Sequence, residues 1–594
     1  MQNLRELISH LNSSRDLVEI DVEVDPHLEL AEIHRRVIAA SGPALLFKRV
    51  KGSSFPVVTN LFGTHSRVEA AFGRDPQKLV RSLVELATKQ FPPSFSTLWK
   101  KRHDLLSLLK MGTRFKRNVP LLDVVNHSPD LHRLPMIKSW PLDGGSFLTL
   151  PLVYTESISS KTPNLGMYRI QRHDDKKAGL HWQIAKGGGF HYHEAEQLGK
   201  PLPVSIFLGG PPALILSAIA PLPENVPELL LAGLVAGGKL SRSSLPGHPH
   251  PLIGECEFAI LGESSPHQRH PEGPFGDHYG YYSWQHDFPF LNIKTIAHRR
   301  DAIYPATVVG KPYQEDYYIG NYLQELLSPL FPVVMPGVKA LWSYGETGFH
   351  SLAAAQVRER YERECMSSAF RILGEGQLAL TKFLLLTDQT VHIKNIRQVL
   401  TTILERFRPE KDLYILANLS LDTLDYTGPS LNKGSRGILL GTGEPIRKLP
   451  HEFVGSLPSK IRDARPFCPG CLVLEGDAKD AEEMERLCRE PDFQSWPLLI
   501  LVDSLKKSLK DIPSFLWTTF TRFEPAADIY AGKKEIFRHH LCYSGPILID
   551  ARMKPSYPQE VLCDEATSLK VTKRWNEYFP HGMAMGDSNA GHVV

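Results

Sequence analysis

A motif that occurs twice near the carboxyl end constrains the fold of this chain more than any other feature. KFLLLTD (382–388) is followed by TTILERFRPEKDLY (401–414), and PLLILVD (497–503) is followed by TTFTRFEPAADIY (518–530). Each copy has the pattern of a buried strand, a helix and a return marked by RFxPxxDxY. Such repetition predicts a duplicated βα unit or two stacked subdomains. A chance similarity of two βα units is the alternative.

The part of the chain before this motif contains two regions with different sequence patterns. Residues 1–118 alternate helix and strand patterns, and Asp25 with Pro26 is expected to cap and open a helix. Between 119 and 320, short runs rich in β-branched and aromatic residues are separated by Gly and Pro, which predicts a barrel or sandwich interrupted by helices. VPELLLAGLVAG (226–237) has the pattern of one such helix.

These patterns predict an α/β (α+β) fold in three domains. They are an N-terminal α/β domain (1–118), a central β-barrel domain (119–320) and a C-terminal α/β domain (321–594), whose internal repeat covers about 382–440 and 497–550.

Charge and cysteine content narrow the functional classes. A net charge of +3 over 594 residues lacks the basic footprint of a nucleic-acid binder. The seven cysteines are few and odd in number, which argues against a disulfide framework and for a reducing compartment. The charged start lacks a signal peptide's apolar segment, and no apolar run reaches the ~18 residues of a membrane span. We therefore expect a cytoplasmic protein, and we interpret the basic segment 100–117 as a solvated helix face.

Two carboxylates and one arginine are candidates for acid/base chemistry. In PEGPFGDHYGYY (271–282), Glu272 and Asp277 flank a Gly-Pro-Phe-Gly turn, and Arg169 in NLGMYR is a candidate partner. A buried carboxylate pair with one arginine tends to separate its two pKa values, so that one group stays ionised and the other carries a proton. A salt bridge that only stabilises the turn is the alternative.

Other residues suit a metal or a phosphate. Asn164 and Glu228 offer hard oxygen ligands typical of magnesium or manganese sites, although each could equally be a capping or surface residue. Lys186 and the glycines 187–189 offer an ammonium and backbone N–H groups to a phosphate. Three glycines equally mark a bulge or a flexible turn.

Two further clusters have metal-site spacing. His191 and His193 would point to one face of a strand, as metal ligands do, but an exposed strand also carries such pairs. CPGC (468–471) has the cysteine spacing of a redox motif or of half a zinc site, and HHLC (539–542) would supply the other ligands of such a zinc site. Structural or unpaired thiols are the favoured interpretation of these cysteines.

Together these residues resemble the UbiD family of reversible decarboxylases, which use prenylated FMN. The resemblance covers most of the chain, and its most specific motifs are NLGMYR and EGPFGDHYGYY at this separation. HWQ, AIYPATVVGKPYQED and PILIDARMKP extend it. KALWSYGETGFHSLAAAQ, LSLDTLDYTGP and the long C-terminal part look most like the menaquinone-biosynthesis branch, which serves the futalosine route.

The resemblance implies a role for each candidate residue. The central domain would be a split β-barrel that binds the flavin, and Asn164 and Glu228 match the family's divalent-metal ligands. Arg169, Glu272 and Asp277 match its catalytic network, with Asp277 in the place of the proton donor. The residues that match cofactor-lining segments are Met167, Tyr168, Arg169, His181, Trp182, Gln183, Lys186 and Gly187.

One position departs from the family pattern. Many relatives have a histidine three residues after the tryptophan, near or on the metal, and here that place holds Ala185. We therefore expect water or another residue to complete the shell of a divalent metal, manganese before magnesium, with potassium as a further candidate ion.

The resulting expectation is a carboxy-lyase acting on a small aromatic carboxylic acid, a dihydroxynaphthoate of menaquinone biosynthesis. Decarboxylation of 4-hydroxy-3-polyprenylbenzoate for ubiquinone is the alternative within the same chemistry. A flavin-binding protein without decarboxylase activity is the alternative from another class. The resemblance also implies a flavin prenyltransferase as cofactor supplier and a homo-oligomer, either a dimer or a hexamer.

Overall fold

The computed structural model describes residues 1–74, 78, 80–82, 84–85, 112–183, 186–222, 226–311 and 313–587. Ala185 and most of the basic segment 100–117 lie outside these residues; within that segment, Thr113–Phe115 is a strand. The chain forms two compact units, one of Met1–Leu326 with Gln559–Ala590 and one that includes Leu327–Pro558. The predicted three domains stay a prediction. In the described residues, no helix is both long and apolar enough to cross a membrane.

The first unit contains most of the strands. They are β1 (Leu17–Ile20), β2 (Ala44–Phe47), β3 (Val57–Thr59), β4 (Thr113–Phe115), β5 (Val124–Asn126), β6 (Phe147–Leu148), β7 (Leu152–Glu156), β8 (Pro163–Gly166), β9 (Ile170–Arg172), β10 (Lys177–Leu180), β11 (Leu202–Leu208), β12 (Leu240–Ser243), β13 (Leu252–Ile253), β14 (Phe258–Ser264), β15 (His270–Glu272), β16 (His286–Phe288), β17 (Phe290–His298) and β18 (Tyr304–Pro305).

The helices that accompany these strands up to residue 327 have the following bounds in the described part of the chain. They are α1 (Leu4–Ser13), α2 (Glu29–Ala39), α3 (His65–Phe72), α4 (Gly187–Gln197), α5 (Ala213–Ile219), α6 (Glu228–Ala236) and α7 (Glu315–Leu327). The predicted helix at 226–237 is confirmed by α6. Helix α2 begins later than predicted, because the Asp25 carboxylate accepts the N–H of His27 at 2.9 Å and forms a turn rather than a helix cap.

A curled nine-stranded sheet forms the centre of the first unit. Its strand order is β6-β9-β10-β17-β14-β11-β7-β8, with β5 beside β17, and these pairings are antiparallel. Alternate residues of one strand enter two apolar clusters, as Ile206 and Phe207 of β11 do. Both faces of this sheet are therefore covered. The open strand path agrees with the expected split barrel, and the predicted fold class is confirmed.

Three smaller sheets complete the strand pairing of this unit. Strand β18 joins the first three strands in the order β1-β2-β3-β18, so the N-terminal sheet takes one strand from beyond residue 300. The other two sheets have the orders β13-β12-β4 and β15-β16.

The second unit is built from two sheets of the same topology. Its strands are β19 (Val338–Ser343), β20 (Leu352–Val357), β21 (Phe383–Thr387), β22 (Leu413–Ser420), β23 (Lys433–Gly441), β24 (Ile461–Cys468), β25 (Cys471–Gly476), β26 (Leu498–Val502), β27 (Ile529–Phe537) and β28 (His540–Asp550). The sheets have the orders β19-β20-β21-β23-β22 and β24-β25-β26-β28-β27, with the same sequence of parallel and antiparallel pairs. The predicted duplication is confirmed, and each copy includes two more strands upstream than the motif indicates.

The helices of the duplicated unit follow the same scheme. They are α8 (Phe331–Val334), α9 (Glu364–Leu373), α10 (Ile396–Leu404), α11 (Pro409–Asp412), α12 (Ala481–Leu487), α13 (Leu505–Ser508), α14 (Ile512–Thr521) and α15 (Pro525–Asp528), with α16 (Glu565–Tyr578) after them in the first unit. Short 3₁₀ turns occur at Pro120–Leu122, Leu131–Arg133, Ser328–Leu330, Gly345–Thr347, Gly376–Leu380 and Pro491–Phe493.

The repeated RFxPxxDxY motif has a structural purpose in both copies. The Asp412 carboxylate accepts the N–H of Arg408 at 2.8 Å, and the Asp528 carboxylate accepts the N–H of Glu524 at 2.7 Å. Each aspartate thus closes its own short turn. Turn α11 contacts β28 and turn α15 contacts β23, so each copy packs against the last strand of the other. One apolar cluster includes side chains of both copies.

Candidate active site

Arg169 is the centre of a buried ionic network. It lies between β8 and β9, and its side chain is 7% exposed. Its Nε and Nη2 donate to the two oxygens of Glu272 at 2.8 and 2.9 Å, which is the bidentate geometry that suits a guanidinium. Its Nη1 donates to Asp277, and Nη2 also donates to Ser283 Oγ at 2.9 Å. The three predicted catalytic residues therefore meet at one point.

The loop that carries Asp277 is fixed by its neighbours. The carboxylate of Asp143 accepts the N–H of Gly276 at 2.7 Å, and the side-chain oxygen of Gln171 accepts the N–H of Gly273 at 2.7 Å. Ser283 Oγ accepts the N–H of Phe275 at 3.1 Å. These bonds hold the turn between the two carboxylates, so Asp277 is directed at Arg169 by a rigid loop.

Each carboxylate of the network also has its own histidine. His181 Nδ1 lies 3.0 Å from Glu272 Oε2. His278 contacts Asp277 twice, because its backbone N–H and its Nδ1 each lie 2.7 Å from Oδ1. The Arg169 guanidinium also lies 4.7 Å from the centre of the Phe275 ring.

Burial and the neighbouring positive charges shift the pKa values of the two acids in opposite directions. Burial raises the pKa of Glu272, but Arg169 and His181 outweigh it, so the pKa lies below its ordinary value. Burial likewise raises the pKa of Asp277, and here His278 and Arg169 outweigh it and lower the pKa. The expected separation of the two pKa values is not seen in this arrangement, because both acids have a cation at hydrogen-bond distance.

A second group of predicted residues lies where α4 begins. Lys186 is the residue before the helix, and the three glycines form its first turn rather than a loop. A Cβ on Gly187 would stand 2.1 Å from Asn164 Oδ1, and a Cβ on Gly188 would stand 2.8 Å from Trp182 Nε1. The N–H of Gly188 donates to the Tyr168 hydroxyl at 3.2 Å. Glycine is therefore required for the helix to approach these side chains.

The two predicted metal ligands lie beside the same helix end. Asn164 is on β8, and Glu228 is the first residue of α6. Glu228 Oε2 accepts the N–H of Leu165 at 3.0 Å, which holds the glutamate against the strand residue next to Asn164. Burial raises the pKa of Glu228. Among the described residues, no three His, Cys, Asp or Glu side chains form a metal-binding group, so a metal here would rely on this amide and carboxylate with other donors.

Polar atoms around this helix end fit an additional bound group. Asn164 Nδ2, His181 Nε2 and Trp182 Nε1 are buried, and none has a hydrogen-bond partner within the part of the chain described here. Buried polar atoms without a partner are costly in a folded protein unless a ligand or water satisfies them. A flavin phosphate and its divalent cation would supply such partners, and the positive partial charge at the start of α4 favours an anion there.

The remaining predicted residues have fewer contacts that relate them to the site. Gln183 is half-buried, and a Cβ on Gly189 would stand 2.9 Å from its carbonyl oxygen. Met167 packs against an apolar cluster that includes Tyr154 and Leu165. Position 185, on which the expected metal shell depends, lies outside the described residues.

The expected strand with His191 and His193 is wrong. Both residues lie in α4, where residues two apart face different directions. His191 Nδ1 lies 2.9 Å from Thr155 Oγ1, and His193 Nε2 lies 3.1 Å from the side-chain amide of Gln197 on the exposed side. Each imidazole has a structural partner, and the two do not form a joint ligand pair.

CPGC forms a hairpin turn, in which Cys468 and Cys471 are opposite each other across β24 and β25. Both cysteines are buried free thiols. The absence of a three-ligand cluster among the described residues gives no support to a zinc site completed by HHLC.

Sequence reasoning missed three residues of the site: Asp143, His278 and Ser283. His278 directly follows Asp277 and could have been considered as its partner. Asp143 is 133 residues from Gly276 in the chain, and nothing in its local sequence indicates this contact.

Comparisons with known proteins show the family to which the chain belongs. Three domain models of one family match the chain: the 3-octaprenyl-4-hydroxybenzoate carboxy-lyase N-terminal domain at residues 8–87, the Rift-related domain at 114–312 and the C-terminal domain at 317–441. The third match ends with the first of the two C-terminal sheets. A Chlamydia pneumoniae protein, named as a subunit of 4-hydroxybenzoate decarboxylase, is 55% identical over 98% of this chain and 99% of its own length.

Solved structures with the same fold are more distant in sequence. The closed form of Sedimentibacter hydroxybenzoicus vanillic acid decarboxylase has a TM-score of 0.66 at 23% identity, covering 82% of this chain and 98% of its own. The UbiD-class enzyme HmfF from Pelotomaculum thermopropionicum, solved in an evolved dimeric form with prFMN, has a TM-score of 0.61 at 20% identity, covering 74% and 95%. The family and the predicted enzyme class are confirmed: the chain belongs to the UbiD family of carboxy-lyases.

Proposed function

We propose that this protein removes CO₂ from an aromatic carboxylic acid and that its cofactor is prenylated FMN. The observation that carries the proposal is the buried Arg169, which binds both Glu272 and Asp277 in the same unit as the glycine-opened helix. Family membership and the solved HmfF complex with prFMN support the same cofactor.

The cofactor would be held by the residues around the start of α4. Asn164 and Glu228 would bind a divalent cation, manganese or magnesium, and this cation would bind the flavin phosphate. The positive end of the α4 dipole and the Lys186 ammonium would add positive charge toward the phosphate. Potassium is a further candidate ion. Prenylated FMN, when bound, supplies an electrophilic ring that takes up the electron pair left by CO₂.

The residues of the ionic network have separate tasks in this reaction. Arg169 is a fixed cation that orients a carboxylate substrate and holds both acids in place. Asp277 delivers the proton that replaces CO₂ on the substrate carbon. Glu272, fully buried and bound to both Arg169 and His181, keeps that cation in position.

Two independent indications favour two different substrates. The branch-like segments KALWSYGETGFHSLAAAQ and LSLDTLDYTGP favour a dihydroxynaphthoate of menaquinone biosynthesis. The name of the Chlamydia pneumoniae relative favours 4-hydroxybenzoate, which belongs to the hydroxybenzoate class of the ubiquinone alternative. We propose the naphthoate as the physiological substrate. A flavin prenyltransferase as cofactor supplier and assembly into a dimer or hexamer belong to the same proposal.

The test is the identity of the bound flavin together with CO₂ release. The full chain is purified from cells that co-express a flavin prenyltransferase, the flavin mass is measured, and CO₂ release is compared for a dihydroxynaphthoate and 4-hydroxybenzoate. We expect prenylated FMN and faster release from the naphthoate. Plain FMN without CO₂ release would instead support a flavin-binding protein that lacks decarboxylase activity.

A further inference from the structure

The proton donor of this site has an unusual environment for an acid. Asp277 accepts hydrogen bonds from the Arg169 guanidinium and from both the backbone and the ring of His278. A carboxylate with two cationic partners is stabilised in its ionised form. Asp277 therefore needs an adjacent source of protons if it protonates a substrate once in every turnover.

The two histidines of the network differ in their access to water. The His181 side chain is 5% exposed, and its Nε2 is buried with no hydrogen-bond partner within the described residues. The His278 side chain is 26% exposed, while its Nδ1 lies 2.7 Å from Asp277 Oδ1. His278 thus contacts both the buried acid and the solvent side of the site.

A third acid interacts with His278. Asp316, in the first turn of α7, interacts electrostatically with both His278 and Asp277. Its Oδ1 is buried and lacks a hydrogen-bond partner among the residues described. Burial raises the pKa of Asp316 to about 6. Among the described residues, the charged groups recorded at this point include Asp277 in the loop of His278, Arg169, which binds Asp277 from the segment between β8 and β9, and Asp316 from α7.

We propose that His278 is the positioning and proton-supplying partner of Asp277, which it reloads with a proton from solvent after each turnover. This inference rests on the proposed decarboxylase function and assigns a residue that serves Asp277 rather than the substrate. Asp316 supports it by adding negative charge near His278.

The proton balance of this step is simple. Loss of CO₂ leaves an electron pair on the substrate carbon, and the Asp277 carboxyl gives its proton to that carbon and becomes a carboxylate. The His278 imidazolium then gives its Nδ1 proton to Asp277 Oδ1. The neutral ring that remains keeps its proton on Nε2, so Nδ1 takes up the next proton from water when the partly exposed ring turns toward solvent. The proton relay itself transfers no electrons, and one solvent proton is consumed for each CO₂ released.

The first measurement does not depend on finding a substrate. The full chain, labelled with ¹³C in its histidine rings and loaded with FMN and magnesium, is titrated by NMR, and the signal that disappears in His278→Gln is assigned to His278. We expect this ring to be protonated at pH 7, and its pKa to fall in Asp277→Asn and in Asp316→Asn. A ring that is neutral at pH 7 in the wild-type chain would overturn the inference.

The second measurement uses the enzyme loaded with prenylated FMN. In His278→Gly, we expect kcat to fall by about 10²-fold, the scale of proton-transfer catalysis, with KM and flavin content near the wild-type values. Added imidazole should restore the rate, whereas a purely structural loss would not be rescued. The exposed His132→Gln is the matched control and should keep the wild-type pH profile.

The outcomes separate the two proposals. An active wild-type enzyme whose His278→Gly variant keeps its kcat and pH profile, or is not rescued by imidazole, would overturn the relay alone. A wild-type enzyme that carries prenylated FMN but releases no CO₂ from any aromatic acid would overturn the proposed function.

Discussion

Replacing Arg169 by methionine tests the energetics of the buried network most directly. The three side chains of the network are 7%, 0% and 11% exposed for Arg169, Glu272 and Asp277. Arg169→Met leaves two buried carboxylates side by side without their shared cation. Removal of one partner from a buried ion pair costs about 3–5 kcal/mol, so we expect a loss of this size in the free energy of unfolding at pH 7.

The same variant has a predictable dependence on pH. In the wild-type protein, both carboxyl pKa values lie below the ordinary 4.5 and 3.8, so the stability that they contribute is present above pH 4.5 and is lost as the pH falls below it. Without the arginine, burial remains and raises both pKa values. The variant then gains stability as the pH falls through those raised values, and the difference from wild type should narrow between pH 7 and pH 5.

The assay is urea unfolding followed by tryptophan fluorescence at both pH values. Arg172→Met is the matched control, because Arg172 is half-buried three residues away and its charge interacts with Asp130 rather than with the carboxylate pair. The double variant Arg169→Met/Glu272→Gln should recover part of the loss at pH 7. A loss below about 1 kcal/mol at pH 7, or a difference that does not change with pH, would refute this account of the network.

Four further outcomes are expected from single changes. Asp277→Asn should lower kcat by about 10²- to 10⁴-fold while the flavin remains bound, as measured by CO₂ release and flavin absorbance; near-normal turnover would contradict its role. Glu228→Gln should lower metal and flavin content together in parallel purifications, and full retention of both would exclude it as a ligand. Burial lowers the pKa of His250 from 6.5 to about 3, so below pH 6.5 the unfolded chain binds a proton that the folded protein does not, and the folded state loses stability. The thermal midpoint should therefore drop less steeply with falling pH in His250→Gln than in wild type. Equal slopes would contradict this. Asp412→Ala and Asp528→Ala should each lower the free energy of unfolding by about 1 kcal/mol or more in urea titrations, since each removes an equivalent turn-closing bond, and a loss in only one would contradict the equivalence.

The duplicated fold was predictable because its motif is local. Residues such as Asp412 and Asp528 close turns within their own segment, so the sequence carries their pattern twice. The upstream strands of each copy were not predicted, since their pairing depends on contacts with distant strands. The glycine-rich helix α4 was mistaken for a strand region because glycine disfavours helices, and only the approach to Asn164 and Trp182 explains its use there.

The candidate site was predictable only in part. Arg169, Glu272 and Asp277 could be named from residue type and family resemblance, and the structure brings them together. The partners that fix them could not be named. Asp143 reaches Gly276 only through the fold, and the role of His278 depends on the direction of its ring, which no sequence pattern specifies.

The central claim is tested most directly by following both products of the reaction in one experiment. The chain loaded with prenylated FMN is incubated in D₂O with an aromatic acid that carries ¹³C in its carboxyl group, and ¹³CO₂ and deuterium in the product are measured for wild type and Asp277→Asn. The account predicts one deuterium at the former carboxyl carbon for each ¹³CO₂ released by the wild-type enzyme, and almost none of either from the variant. Absence of ¹³CO₂ from the wild-type enzyme with both the naphthoate and 4-hydroxybenzoate, or equal release from the variant, would contradict it.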